Sequence, residues 1–307
     1  MSLWFAVILG LIQGAAEFLP VSSSGHLALL QAFFPSLAPE EGLLFDVLLH
    51  LGTLVSLAAV YRRQLGRLAR SLLRPRGGDG AAGRHLAGLL LLGTLPLGLV
   101  LPLKGWIEAR CGDPAFIGAA LIVNGAMLYI SDKLLAGRKS LPAAGADQAL
   151  AVGFAQAFAA LPGISRSGST VTAGVLAGLR RPDAVDFSFL LSFPAVLGAC
   201  LVKLAEALRS GFHKALLLPA LAGFAAAALS GLLAIRLVRT LAQRGKFRNF
   251  AWSCWPAGRI FWKRMPRRFP PNSASRPSAS PAISPIPRKS RLPSRPRWML
   301  SAAWISW

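Results

Sequence analysis

The chain has 307 residues, is 54% hydrophobic with only 12 acidic side chains, and has a mean hydropathy of +0.52. This balance excludes an ordinary soluble globule and indicates a polytopic membrane protein. The net charge of +22 would suit a nucleic-acid binder in a soluble chain, but here Lys and Arg lie between apolar runs and in the tail, as the positive-inside rule produces, so no nucleic-acid partner is expected.

Residues 3–19 are apolar, carry Gln13 and Glu17, and stop at Pro20. They have no basic n-region or small-residue cleavage site, so they do not read as a cleaved signal peptide. A Ser/Gly turn follows, then a second apolar run at 27–34 broken by Pro35 and Pro39. Neither half reaches the ~20 residues needed to cross a bilayer core, so the pair reads as a re-entrant helical hairpin. Residues 43–61 make a full span, and the Arg-rich stretch from Arg62 to His85 reads as a cytoplasmic loop. Residues 86–103 return, interrupted by Pro96 and Pro102. Lys104 to Asp113 reads as a short outer loop, and residues 114–132 cross again. Two short halves, 148–161 and onward to Leu179, flank a second Ser/Gly turn. Spans at 187–204 and 214–235 precede the basic cluster Arg236 to Arg248. The charge alternation places the N-terminus outside and position 248 inside, after five spans. Cys111, Cys200 and Cys254 have no metal-ligand spacing and read as packing residues.

The second turn echoes the first at an offset of 143. Gly10 matches Gly153, Gln13 matches Gln156, Ser22 matches Ser165, Ser24 matches Ser167, and Gly25 matches Gly168. The fold class expected is therefore an all-α polytopic membrane protein with an inverted-topology repeat. Each half has a re-entrant helical hairpin plus transmembrane helices, over about 1–135 and 146–256 of a single membrane domain.

Each turn precedes a half-helix whose free N–H groups and positive dipole end point at the meeting place. With Arg166 and the hydroxyls of Ser22, Ser23, Ser165, Ser167 and Thr170 they make an anion site suited to phosphate or diphosphate. The serines also have a local use as N-caps, Ser22 and Ser167 being the better placed for it. Glu17 and His26 suggest an acid–base pair, and Glu17 also suits a Mg²⁺ or Ca²⁺ ion. Gln13 can only hydrogen-bond to a phosphate, water or metal. His50, His85 and His213 lack such company and read as structural or surface residues.

The run Gln13-Gly-Ala-Ala-Glu17 with Phe18 to His26, and the run Pro162 to Thr170, resemble the signature motifs of the undecaprenyl-diphosphatase family of bacitracin-resistance membrane phosphatases. The resemblance covers about residues 1–256. It implies removal of one phosphate from undecaprenyl diphosphate at the outer face of the bacterial inner membrane, recycling the lipid carrier for peptidoglycan synthesis. By motif match, Glu17, Ser23, His26 and Arg166 take the essential positions, with Gln13, Ser22, Ser165, Ser167 and Thr170 on the phosphate. Gln13 stands where many members have Glu, which lowers its weight as a metal ligand. The implied partners are a polyprenyl diphosphate lipid and the membrane, with a homodimer as an option, a divalent cation as the one candidate cofactor, and no organic cofactor. Attack by Ser23, activated by Glu17 or His26, and attack by an activated water both fit.

Residues 257–307 hold eleven basic residues, no acidic ones and nine prolines, where the family has a final span. Such a stretch cannot bury a core and is expected to be disordered. It reads either as a lipid-associated cytoplasmic tail or, preferably, as out-of-frame translation. Two rival functions follow: a polyprenyl-phosphate flippase, and an inactive product of a frameshifted gene.

Overall fold

Short apolar helices alternate with long ones along the chain. The computed structural model describes residues 2–27, 42–73, 80–111, 113–133, 137–210 and 217–244. Helix α1 (Leu3–Phe18) starts at Ser2, whose Oγ accepts the Phe5 N–H, and ends at Leu19. The cap sits one residue before Pro20, where a proline disfavours helical backbone. Residues 23–27 open a further helix. Then come α2 (Gly42–Leu73), α3 (Gly80–Thr94), a 3₁₀ segment (Leu95–Leu103), α4 (Lys104–Cys111) and α5 (Pro114–Lys133). The second half runs α6 (Ala146–Phe158), α7 (Arg166–Leu176), α8 (Arg181–Ser210) and α9 (Leu217–Arg244). Among the described residues there is no strand; Lys139 and Leu179 form an isolated bridge.

Among the described residues four stretches are long and apolar enough to cross a membrane: Leu44–Leu73, Gly80–Ile107, Arg181–Ala207 and Leu217–Arg244. The expected span at 114–132 is a helix with a shorter apolar stretch, Ala115–Ser131. Helices α1, α6 and α7 have 16, 13 and 11 residues. At 1.5 Å per residue none spans the ~30 Å hydrocarbon core. The second arm of the first hairpin, at 27–34, and the tail at 257–307 lie outside the described residues, apart from Leu27.

Two expected loops are helical instead. The Arg-rich stretch after residue 61 continues α2 to Leu73 before the chain restarts at Gly80, and the outer loop Lys104–Asp113 contains α4. Arg is a good helix former, and a helix that has crossed the bilayer can extend into the headgroups without breaking hydrogen bonds. Pro96 and Pro102 do interrupt their span, by converting it to 3₁₀ geometry rather than ending it.

The two halves pack reciprocally. Gly10 and Gly14 of α1 lie on α9, where a Cβ added at either would come within 2.3 Å of Gly223 O or 2.2 Å of Ala227 O. Gly153 of α6 lies on α3, where a Cβ would come within 2.5 Å of Gly93 O. Gly10 and Gly153 are repeat-mates, so each half lends its first helix to a span of the other. Small residues permit such backbone approach, which is how helices associate without a hydrophobic drive between them. Helix α2 closes on α9 in the same way, with Gly52 against Phe224 O and Ser56 Oγ donating to Ala228 O at 2.6 Å. Below, Phe18, Leu57, Tyr61, Phe187 and Phe189 centre the largest apolar cluster, Phe18 and Phe189 meeting edge to face at 5.5 Å. Tyr61 donates to Asp186 Oδ1 at 2.6 Å, and Arg239 pairs with the same oxygen, tying α2, α8 and α9 together.

Gly10→Val or Gly153→Val must push two helices apart, and overpacking of this kind typically costs about 1–3 kcal/mol. Each substitution is expected to lower the melting temperature in detergent, whereas Gly98→Ala, with open space at its Cβ, leaves it unchanged.

Candidate active site

The site forms where α1 ends and α7 begins. Glu17 is one turn after Gln13 on α1, so the two share a face, and Gln13 Nε2 donates to Glu17 Oε2 at 3.0 Å. The chain then turns through Leu19 to Ser22. Ser22 sits at φ +68°, a left-handed conformation that costs a non-glycine residue energy and marks a backbone held by its surroundings. Its Oγ accepts the Gly25 N–H at 3.3 Å. In the second turn Gly163 supplies the left-handed residue (φ +95°), and Ser165 Oγ accepts the Gly168 N–H at 3.1 Å. The caps Ser22 and Ser165 are 143 residues apart. So are Ser23 and Arg166, the first helical residue after each cap. Two equivalent positions thus deliver different groups, a hydroxyl and a guanidinium.

Both meet at Glu17. Arg166 Nη2 donates to Oε1, and Ser23 Oγ donates to Oε2 at 3.0 Å. The Glu17 and Arg166 side chains are 3% and 8% exposed, so the pair is buried. Removing one member of such a pair leaves an uncompensated charge in a poorly solvated place.

The acid–base pairing expected of Glu17 and His26 is not formed. The His26 ring folds back along its own helix, with Nδ1 2.8 Å from Ser22 O. The imidazole nearest Glu17 is that of His50 on α2, expected to be structural, with Nε2 3.9 Å from Oε2. His50 Nδ1 lies 2.9 Å from Asp46 O. A carbonyl only accepts, so Nδ1 carries the proton there, and Nε2 faces the carboxylate with no hydrogen-bond partner. A sequence signal for it existed: Asp46, His50 and Thr53 put three buried polar residues at helical spacing into an apolar span. His85 is structural, its Nε2 2.9 Å from Ala144 O, and Cys200 packs among Val47, Leu54 and Val196. His213 lies outside the described residues.

The remaining expected phosphate contacts are engaged within the protein. Ser167, expected as a cap, instead donates to Leu19 O at 3.2 Å and lies 3.2 Å from Ser165 Oγ, while Ser165 is the cap. Thr170 Oγ1 donates back to Arg166 O or pairs with Ser188 Oγ of α8. With the Ser167 hydroxyl spent on Leu19 O, Ser165 donates to Ser167 Oγ, whereas Ser22 can accept from Ser24 Oγ and keep its own O–H for an anion.

Among the described residues no three His, Cys, Asp or Glu side chains cluster as a metal cage. Gln13 Oε1 is nevertheless buried without a hydrogen-bond partner beside the Glu17 carboxylate. One carboxylate and one amide oxygen fit a hard cation that takes its other ligands from phosphate and water.

The family model described as "Bacitracin resistance protein BacA" matches residues 6–260. The chain belongs to this family. An undecaprenyl-diphosphatase of Carboxydothermus hydrogenoformans is 39% identical over 261 residues, covering 84% of this chain and 95% of that one. Proteins of the same name from Rubrobacter xylanophilus and Geobacter metallireducens are 42% and 40% identical, each alignment covering 80% of this chain and 92% of the relative. The match spans both special turns, so Glu17, Ser23 and Arg166 lie inside the family region of this BacA-family chain, and it ends where the Arg/Pro-rich composition begins.

Arg166→Ala strands Glu17 and is expected to cost about 3–5 kcal/mol of stability. The double variant Arg166→Met/Glu17→Gln, which removes both charges, should recover most of that loss. Denaturation in detergent measures both.

Proposed function

We propose that this protein hydrolyses undecaprenyl diphosphate to undecaprenyl phosphate and inorganic phosphate, as a phosphoric-anhydride hydrolase that recycles the lipid carrier for cell-wall synthesis and so confers bacitracin resistance. The observation that carries this reading is a serine hydroxyl hydrogen-bonded to a buried carboxylate whose other oxygen holds an arginine, at the meeting of two helix N-termini inside a membrane protein. A charged, water-poor site of this kind suits the diphosphate end of a lipid whose tail stays in the bilayer.

Ser23 Oγ attacks the terminal phosphorus and its proton passes to Glu17 Oε2. The bond from phosphorus to the bridging oxygen breaks, and undecaprenyl phosphate leaves with that oxygen. Water then attacks the phosphoserine, phosphate departs, and the proton returns to Ser23. Direct attack by a water that Glu17 deprotonates uses the same groups. Arg166 and the N–H groups at the starts of the two half-helices receive the charge on the equatorial oxygens. In the ligand-free geometry Arg166 holds Glu17 Oε1, so an arriving phosphate competes for the guanidinium. Its turn toward the phosphate releases the carboxylate as Ser23 needs a base. His26, half-buried beside Ser23 on the same helix face, and His50 are the imidazoles within this neighbourhood that can carry protons onward. Glu17 and Gln13 would hold a divalent cation, which when bound neutralises diphosphate charge.

We read the protein as one of the bacterial inner membrane with its site opening to the outside; the family match supports the first and the charge alternation along the chain the second. The halves are read as an inverted repeat, which their reciprocal packing supports. The same packing favours a polyprenyl-phosphate flippase as a second reading, since a broken-helix repeat is a transporter architecture.

Purified full-length protein in detergent should release phosphate from undecaprenyl diphosphate. Glu17→Gln is expected to reduce kcat by about 10²–10⁴-fold, the usual worth of a general base. A flippase would move lipid without releasing phosphate. Ser23→Ala should abolish turnover, and substantial residual activity would remove Ser23 as nucleophile in favour of water. Complementation of a phosphatase-deficient strain by the full chain decides against an inactive product. Excess chelator should suppress turnover, with Mg²⁺ or Ca²⁺ restoring it; undiminished activity in chelator argues that Arg166 and the helix N-termini suffice.

A further inference from the structure

The two turns that make the site are 143 positions apart in the sequence, and one side chain touches both. Asn124 lies in the middle of α5, in an otherwise apolar stretch, and is fully buried. Its Nδ2 donates to Pro20 O at 3.1 Å, in the turn that leads to Ser23. Its Oδ1 accepts the Ser165 N–H at 3.0 Å, the residue before Arg166. A side-chain amide donates from its nitrogen and accepts at its oxygen within one rigid plane. Burying it at this depth is expensive unless both ends are satisfied, and here both are.

The surrounding face of α5 is shaped to the same task. A Cβ at Gly163 would meet Ala120 Cβ at 2.7 Å and Ile117 O at 2.8 Å. A Cβ at Gly25 would meet Leu121 Cδ2 at 3.0 Å, and one at Gly168 would meet Pro20 Cβ and Leu128 Cδ2 at 3.3 Å. Positions 117, 120, 121, 124 and 128 follow helical spacing, so one face of α5 is the seat for both turns. A second link crosses the same seam, from Ser167 Oγ to Leu19 O.

We propose that Asn124 is a positioning residue of the phosphatase reaction. It clasps the two turns at fixed separation, so that the Ser23 hydroxyl and the Arg166 guanidinium reach one phosphorus from opposite halves of the chain. It touches no substrate and acts through the Pro20 and Ser165 backbones. A residue of this kind governs the geometry of the transition state more than the affinity for the lipid, so its loss appears in kcat. This inference rests on the hydrolase reading above.

The test compares full-length wild type, Asn124→Ala, Ser167→Ala and the double variant in detergent, with phosphate release from undecaprenyl diphosphate and thermal melting as readouts. Asn124→Ala is expected to lower kcat by about 10- to 100-fold, the scale of a misplacement near 1 Å, with KM within about threefold of wild type. The double variant should lose more than the product of the two single losses, because each single variant retains one link across the seam. If Asn124→Ala fails to fold, Asn124→Asp, which keeps the size and the oxygen facing the Ser165 N–H, is held to the same criteria. The proposal is overturned if a folded Asn124 variant keeps kcat within about twofold, if its loss is entirely in KM, or if the two losses multiply independently. Absence of phosphate release from wild type would instead defeat the hydrolase reading itself.

Discussion

The buried pair between Glu17 and Arg166 is the contact on which the arrangement depends. A carboxylate and a guanidinium, each under a tenth exposed, meet across 149 positions of the chain. Such a pair is costly to bury and more costly to break, so it holds only if the backbones carrying it are placed well. The close glycine contacts supply that placement. Helix α1 cannot slide on α9 without a carbonyl colliding with the next turn, and α6 is fixed on α3 in the same manner. The chemistry sits on short helices and the rigidity comes from the spans they lie against.

The internal symmetry explains how one motif yields two functions. Both turns cap their helices with a serine three residues before a glycine, Ser22 from a left-handed backbone and Ser165 from an extended one. The residue after the cap then differs: Ser23 in one turn, Arg166 in the other. At the position equivalent to Glu17 the second half has Ala160, so the carboxylate exists once. Had both halves kept a carboxylate and an arginine, two ion pairs would have competed for the same small volume. The division leaves one acid, one hydroxyl and one cation converging on one place.

Much of this was legible in short windows of sequence. The Gln13–Glu17 spacing, the stop at Pro20, the half-length apolar runs and the offset-143 echo all depend on residues within one or two helical turns, where backbone rules hold regardless of the rest of the chain. The pairing of Glu17 with Arg166, 149 positions apart, lies beyond any such window. The extension of α2 to Leu73 was missed because a charge run signals the end of the hydrocarbon and not the end of a helix.

Sequence alone therefore determined that the chain is an all-α polytopic membrane protein, and that buried polar side chains gather in two Ser/Gly turns. Only the tertiary structure decided which side chains share the site. It turned His26 back onto its own helix, brought His50 from a span to within 3.9 Å of Glu17, and set Asn124 between Pro20 and Ser165. The physical reason is that a helix fixes a residue's face but not the neighbour across it. That neighbour is selected by which small residues let two backbones approach, and those contacts join positions far apart in the chain.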